Sequence, residues 1–205
     1  MIPQYWQEAT AALAADDPVL ATLIERYAGL ALVSRGDPFA TLARSVVGQQ
    51  ISVKAADSVW ARFLAVVDTV TPAAVLAVGV EGLQGCGLSR RKIEYVSDLA
   101  AHFAEGRIQP ERWQAMADEA VIAELSDVRG IGRWTAEMFL MFNLLRPDVF
   151  PLDDIGLQRA VGDHYFAGER PTRKALASIG ERWRPWRTVA TWYLWRSLDP
   201  VPVAY

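Results

Sequence analysis

"VRGIGRWTAEMFLMF", residues 128–142, sets Gly130 and Gly132 on either side of one isoleucine, directly ahead of an apolar run with helical spacing. Glycine in or beside a helix costs about 1 kcal/mol relative to alanine, so two at one helix start need a reason, either a tight turn or a ligand at the backbone. With "LSD" (125–127) upstream, the pattern becomes helix, tight turn, helix. Ile131 then plugs the core, and the first amide N–H groups of the second helix point outward. With the positive end of the helix dipole they form an anion site suited to a phosphate. Arg129 and Arg133 flank it. A plain αα-corner capped by glycine would carry the same Gly-Ile-Gly, so the motif alone leaves both readings open.

Helical periodicity continues along the whole chain, while sustained period-two alternation and Asn-Gly or Asp-Gly hairpin pairs are absent. The spacing predicts helices near 3–15, 17–27, 38–49, 52–67, 72–77, 80–84, 89–104, 110–116, 118–125, 132–144, 154–163, 171–180 and 185–196. Asp37-Pro38, Thr71-Pro72, Gln109-Pro110 and Pro171-Thr172 supply start signals, a cap-like residue or a first-turn proline. Connections are short and no linker or low-complexity stretch intervenes, so the expectation is a compact all-α protein, residues 1–205 forming one domain.

At 205 residues, 52% of them hydrophobic, the chain has material for a substantial core. No apolar stretch approaches the ~20 residues that span a bilayer. The N-terminal segment carries acids and no basic run, unlike a signal peptide. Cys86 is the single cysteine, so the chain supplies neither an intrachain disulfide, a CxxC zinc site nor a four-cysteine iron–sulfur cluster. A cytoplasmic setting with no membrane partner is the expectation. The net charge of −3 hides an asymmetry. Residues 1–85 hold five Lys/Arg against eight Asp/Glu, whereas 126–196 hold eleven against eight, and "SRRK" (89–92) adds a basic cluster. Polyanion binding depends on the local patch rather than the total.

Downstream comes "PDVFPLDDIGLQRA" (147–160), a proline-containing turn with two adjacent aspartates before a helix. Aspartate at a helix start is usually an N-cap, a role that Asp153 can fill. Neighbouring carboxylates repel unless both are solvated or one is held by a helix dipole, which makes Asp154 the candidate functional carboxylate.

Together, "GIGRWTA", the apolar helix and "VFPLDD" resemble the helix-hairpin-helix–Gly/Pro–Asp superfamily of DNA glycosylases, and within it the type II DNA-3-methyladenine glycosylase family. The similarity extends through "DPFATLARSVVGQQISVKAA" (37–56), "GCGLSRRK" (85–92) and "ERWRPWRTVATWYLWR" (181–196), in the family order. It implies an all-α, two-lobed fold with a cleft between the lobes and a helix-hairpin-helix at about 118–144. It also implies a monomeric, monofunctional N-glycosyl hydrolase of base excision repair acting on alkylated purines in double-stranded DNA, nucleoid-associated when at work.

Position by position, the resemblance makes Asp154 the catalytic aspartate and the 126–132 hairpin, with Arg129, Gly130, Gly132 and Arg133, the DNA-backbone anchor. The carbonyls of Ser126, Val128 and Ile131 would hold a structural Na+ or K+ that bridges to a phosphate. No cofactor is required for the chemistry, and no iron–sulfur cluster is expected. Gln50 matches a minor-groove contact, and Leu88 sits where the family places a wedge inserted into the base stack. Trp134 and Trp195 match aromatic walls of the base pocket, whereas Met138 stands where the compared member has tyrosine. No counterpart of the long members' N-terminal β-rich domain is expected, and both differences bear on the range of bases accepted.

A base inside a duplex must be flipped out before its glycosidic bond can be attacked. An exposed Leu88 would fill the gap; a Leu88 tucked into the core could not. Trp183 and Trp186 read as core. A purine alkylated at N3 or N7 is cationic, so it leaves readily and attracts indole faces. A carboxylate near C1′ stabilises the oxocarbenium-like sugar and orients the water that adds there. Bifunctional members form a Schiff base through a lysine behind the hairpin; the matching residue is Trp134, so no lyase activity is expected. Two alternatives remain. One is a glycosylase for deaminated or mismatched bases, which needs hydrogen-bond donors in the pocket. The other is a non-catalytic DNA-binding module, which leaves Asp154 without a function.

Overall fold

The computed structural model describes residues 2–34 and 36–198. Among them it contains twelve α-helices and no strand: α1 Trp6–Asp16, α2 Pro18–Arg26, α3 Pro38–Gly48, α4 Val53–Val67, α5 Pro72–Gly85, α6 Arg90–Ala104, α7 Pro110–Trp113, α8 Asp118–Ser126, α9 Arg133–Phe142, α10 Ile155–Tyr165, α11 Arg173–Glu181 and α12 Arg187–Leu198. Most start where a short polar side chain caps them. Asp37, Thr71 and Thr172 accept hydrogen bonds from the third amide along, as expected, and Ser52 and Ser89 do the same. Gln109 does not cap α7; its amide turns back to the Gly106 carbonyl. The two short helices expected at 72–77 and 80–84 are the halves of α5, broken at Gly79, whose φ of +66° no helix contains. No single helix among the described residues is long and apolar enough to cross a membrane.

The described residues divide into two compact units, one holding 2–34 together with 140–198, the other holding 36–139. The sequence showed no seam because the first unit is discontinuous and the boundary at Phe139 falls inside α9 rather than in a linker. In the first unit Trp6, Leu13, Leu20 and Leu23 of α1 and α2 are buried with Leu157, Val161, Trp183, Trp192 and Leu194. Asp17, 2% exposed, caps α2 and also accepts from Tyr165 Oη (3.0 Å) and Trp183 Nε1 (3.1 Å). A buried carboxylate needs such partners. In the second unit an aromatic chain runs from Phe39 through Phe103 and Trp113 to Phe139, with ring centroids 5.2, 6.4 and 5.1 Å apart.

Leu88 corrects an expectation: it is 8% exposed, not a side chain standing out for insertion. The preceding turn is pinned by Arg62 Nε donating to the Cys86 carbonyl (2.9 Å), and Gly87 adopts φ +81°. Leu88 thereby arrives just before the Ser89 cap, with Ile93, itself buried, in the fourth helical position. Those are the two places of a hydrophobic staple, which fixes the entry of a chain into its helix. Leu88→Ala is accordingly expected to lower folding stability by about 2–5 kcal/mol, seen as a reduced denaturant midpoint at unchanged m-value. An unmoved midpoint would contradict the buried placement.

Candidate functional site

The hairpin lies in the second unit, between α8 and α9. Val128 N donates to Leu125 O (3.2 Å) and Ile131 N to Val128 O (3.1 Å), closing two tight turns in succession. Ile131, 3% exposed, plugs the core as the sequence predicts. Gly130 has φ +83°, and a Cβ there would lie 2.2 Å from Tyr95 Cδ2, so neither the backbone nor the space admits a side chain. Gly132 differs: a Cβ built on it meets no atom within 4 Å. The glycine pair thus has two purposes, Gly130 serving the inward packing and Gly132 leaving the outer surface at the start of α9 open.

Two side chains outside the hairpin hold it by its backbone. Gln49 Nε2 donates to Gly130 O (2.9 Å), and Arg129 N donates to Asp98 Oδ2 (2.8 Å). Neither residue is apparent from the sequence, because each matters only through a contact with a distant segment. Gln50, next to Gln49, is exposed with φ +59°, a left-handed conformation unusual for a residue with a side chain.

The two flanking arginines are not equivalent. Arg129 is exposed. Arg133 makes a bidentate pair with Glu119 (2.9 and 2.5 Å) and reaches Glu137, whose side chain is 7% exposed, at 2.9 Å. The hydrogen bonds that Arg133 donates to Glu119 raise the guanidinium's pKa and lower that of the Glu119 carboxyl. Arg133 therefore ties α9 to α8 instead of standing ready for an anion. Of the two arginines, Arg129 is the one whose exposed side chain forms no ion pair among the described residues, while its amide is held by Asp98.

The carbonyls of Ser126, Val128 and Ile131 are neutral oxygen donors, a set suited to a weakly hydrated monovalent ion rather than to a metal that prefers nitrogen or sulfur. Ile131 N uses one lone pair of the Val128 carbonyl and leaves the other, so the residues present fit such an ion. Trp134, 38% exposed, and Met138, 7% exposed, lie four residues apart on α9.

Asp154 and Trp195 belong to the first unit and meet directly. Asp154, not Asp153, is the N-cap of α10: its Oδ1 accepts from Leu157 N (2.6 Å) and from Trp195 Nε1 (2.8 Å). Asp153 is instead paired with Arg173 on the surface. The assignment expected from sequence is thus shifted by one, because the turn after Pro151 brings Asp154 N to the Pro151 carbonyl (3.0 Å) and starts the helix one residue later. The Trp195 indole stacks on Phe142, centroids 5.9 Å apart at 12°. Gly156 permits the arrangement: a Cβ there would lie 3.1 Å from Asp154 Oδ1 and 3.3 Å from the indole. The result is a carboxylate at the positive end of a helix dipole, oriented by two N–H donors and beside an aromatic plane. Such a group offers a fixed negative charge to a developing cation.

The family model for HhH-GPD superfamily base excision DNA repair proteins matches residues 43–185. DNA-3-methyladenine glycosylase 1 of Schizosaccharomyces pombe is 32% identical over 182 residues, 87% of this chain and 80% of that one. The crystal structure of a DNA-3-methyladenine glycosidase from Bacillus halodurans superimposes with a TM-score of 0.86 at 36% identity, covering 93% of this chain and 89% of the other. That of the S. pombe 3-methyladenine DNA glycosylase in complex with abasic DNA gives 0.79 at 29%, covering 96% and 100%. A relative in Bacillus subtilis is longer: the chain spans 66% of it.

The Arg133–Glu119 pair has a pH signature. Glu119's carboxyl is held below its ordinary value of 4.5, so its contribution to stability is complete above that value and is lost as pH falls through the lower, folded-state value. Glu119→Gln removes this contribution. The stability difference between wild type and variant is expected to be constant at neutral pH and to shrink on acidification, as followed by thermal melts; a difference that grows toward acid would contradict the pairing.

Proposed function

The chain belongs to the HhH-GPD superfamily of base excision DNA repair proteins, and we propose that it is a monofunctional DNA glycosylase for alkylated purines such as 3-methyladenine, of the type II DNA-3-methyladenine glycosylase class. The reaction is hydrolysis of the N-glycosidic bond, leaving an abasic site. The observation that carries this reading is the Asp154 carboxylate, fixed by the Leu157 and Trp195 N–H groups.

A purine methylated at N3 or N7 carries positive charge in DNA and leaves as a neutral base when the C1′–N bond breaks, so it needs no general acid. The charge passes to the sugar as an oxocarbenium-like cation. Asp154 stabilises that cation and takes the proton of the water whose oxygen bonds to C1′. The indole of Trp195, beside Asp154, supplies an electron-rich face for a cationic base. Trp134 offers no amine for a Schiff base, which supports hydrolysis without strand cleavage.

Substrate delivery uses the hairpin. Backbone amides at the start of α9 take a phosphate, a sodium or potassium ion on the Ser126, Val128 and Ile131 carbonyls would add a bridging positive charge, and Arg129 supplies a side-chain cation. With Leu88 buried, the side chain proposed to occupy the gap left by the flipped base is Gln50, exposed on a left-handed residue between α3 and α4.

Single-turnover base release from methylated, deaminated and mismatched duplexes tests the substrate class; release confined to the methylated duplex is the expected result. Asp154→Asn keeps a capping oxygen for α10 and is expected to lower release at least ~100-fold while DNA affinity stays near wild type. Near-normal release would overturn the mechanism. Gly132→Val places its side chain in open space and should leave the melting temperature unchanged. It should weaken binding to damaged and undamaged duplexes alike, since the obstructed contact is to the sugar–phosphate backbone, and wild-type binding should fall steeply with added salt.

A further inference from the structure

One face of α6 is committed to the backbones of segments remote in sequence. Lys92 Nζ donates to the Val47 carbonyl in the last turn of α3 (2.6 Å), immediately ahead of Gln49 and Gln50. Three residues on, the Tyr95 ring occupies the space that a side chain on Gly130 would need. Three further, Asp98 Oδ2 accepts from Arg129 N. One turn later, buried His102 places Nε2 3.2 Å from Asp127 Oδ2. Spacing of three to four residues keeps all four on one side of a helix. The segments they hold are the hairpin and the corner carrying Gln50, and Gln49 joins the two through Gly130 O.

Resting on the glycosylase reading above, we propose that Lys92, Tyr95 and Asp98 are positioning residues: they fix the hairpin backbone and the Gln50 corner so that both engage one DNA duplex without being ordered first. The strongest indication is the sign of Asp98. A carboxylate close to a phosphate-binding turn repels the ligand, and its side chain is 24% exposed. Electrostatics alone would disfavour an acid here. Its bond to the Arg129 amide supplies the compensating role, holding a backbone conformation that a free loop would have to adopt at an entropic cost on binding.

Asp98→Ala and Asp98→Asn separate this role from others. Asparagine retains an acceptor for Arg129 N and removes the charge; alanine removes both. Affinity for an undamaged duplex, the saturating single-turnover rate on a methylated duplex, the melting temperature and amide hydrogen exchange at Arg129 are measured for wild type and both variants. Asp98→Ala is expected to weaken binding to either duplex about tenfold, the loss attributed to ordering the loop on binding. Exchange at Arg129 should accelerate, and the saturating rate should stay near wild type. Asp98→Asn should bind at least as tightly as wild type. If both variants bind more tightly, Asp98 acts only by its charge and the proposal is wrong. It is equally wrong if alanine binds like wild type, or if both variants lose affinity only in proportion to lost folded protein. Wild-type protein with no affinity for duplex DNA would overturn the glycosylase reading itself, whereas normal wild-type binding with an indifferent Asp98→Ala overturns only this inference.

Discussion

The hairpin depends on a peptide geometry that only glycine can supply. At Gly130 the chain passes through left-handed space against the flat face of Tyr95, close enough that one added carbon would sit inside the ring's van der Waals boundary. This close approach lets the turn lie flush on α6, bringing Arg129 N to Asp98 and Gly130 O to Gln49. It also sets where α9 begins, and with it the direction of the amides at its start. A single steric constraint therefore fixes the backbone of the turn, the helix behind it and the contacts that keep both still.

In the first unit the corresponding constraint is electrostatic. Asp154 begins a helix and, in the proposed reaction, also supplies the charge that meets the sugar cation. Those roles are compatible because the N–H donors of Leu157 and Trp195 both reach Oδ1 of the capping carboxylate and orient the group. Asp153 beside it is paired with Arg173, so the repulsion between adjacent carboxylates is relieved on the surface side. Gly156 keeps the approach between Asp154 and Trp195 open. A second carboxylate, Asp17, holds the same unit together. It is buried among the α2 amides, the Tyr165 hydroxyl and the Trp183 indole, joining the N-terminal helices to segments about 150 residues further on. Burial, reinforced by the Asp17 charge, raises the Tyr165 phenol's pKa and keeps it a donor.

What the sequence by itself determined is local. Helical periodicity, capping residues and first-turn prolines located the helices, including the interruption of α5, since each signal acts within a few residues. The same applies to the Gly-Ile-Gly turn and the buried Ile131 between its glycines. Tertiary structure decided everything that depends on which segments meet. It buried Leu88 in the entry to α6, transferred the α10 cap from Asp153 to Asp154, and paired Arg133 with Glu119 and Glu137. It also gave Gln49, Tyr95, Asp98 and Gly156 roles that no pattern announces. Charge and apolarity are readable in a sequence, but whether a charge is already matched, or an apolar side chain already covered, depends on neighbours brought together by long-range packing.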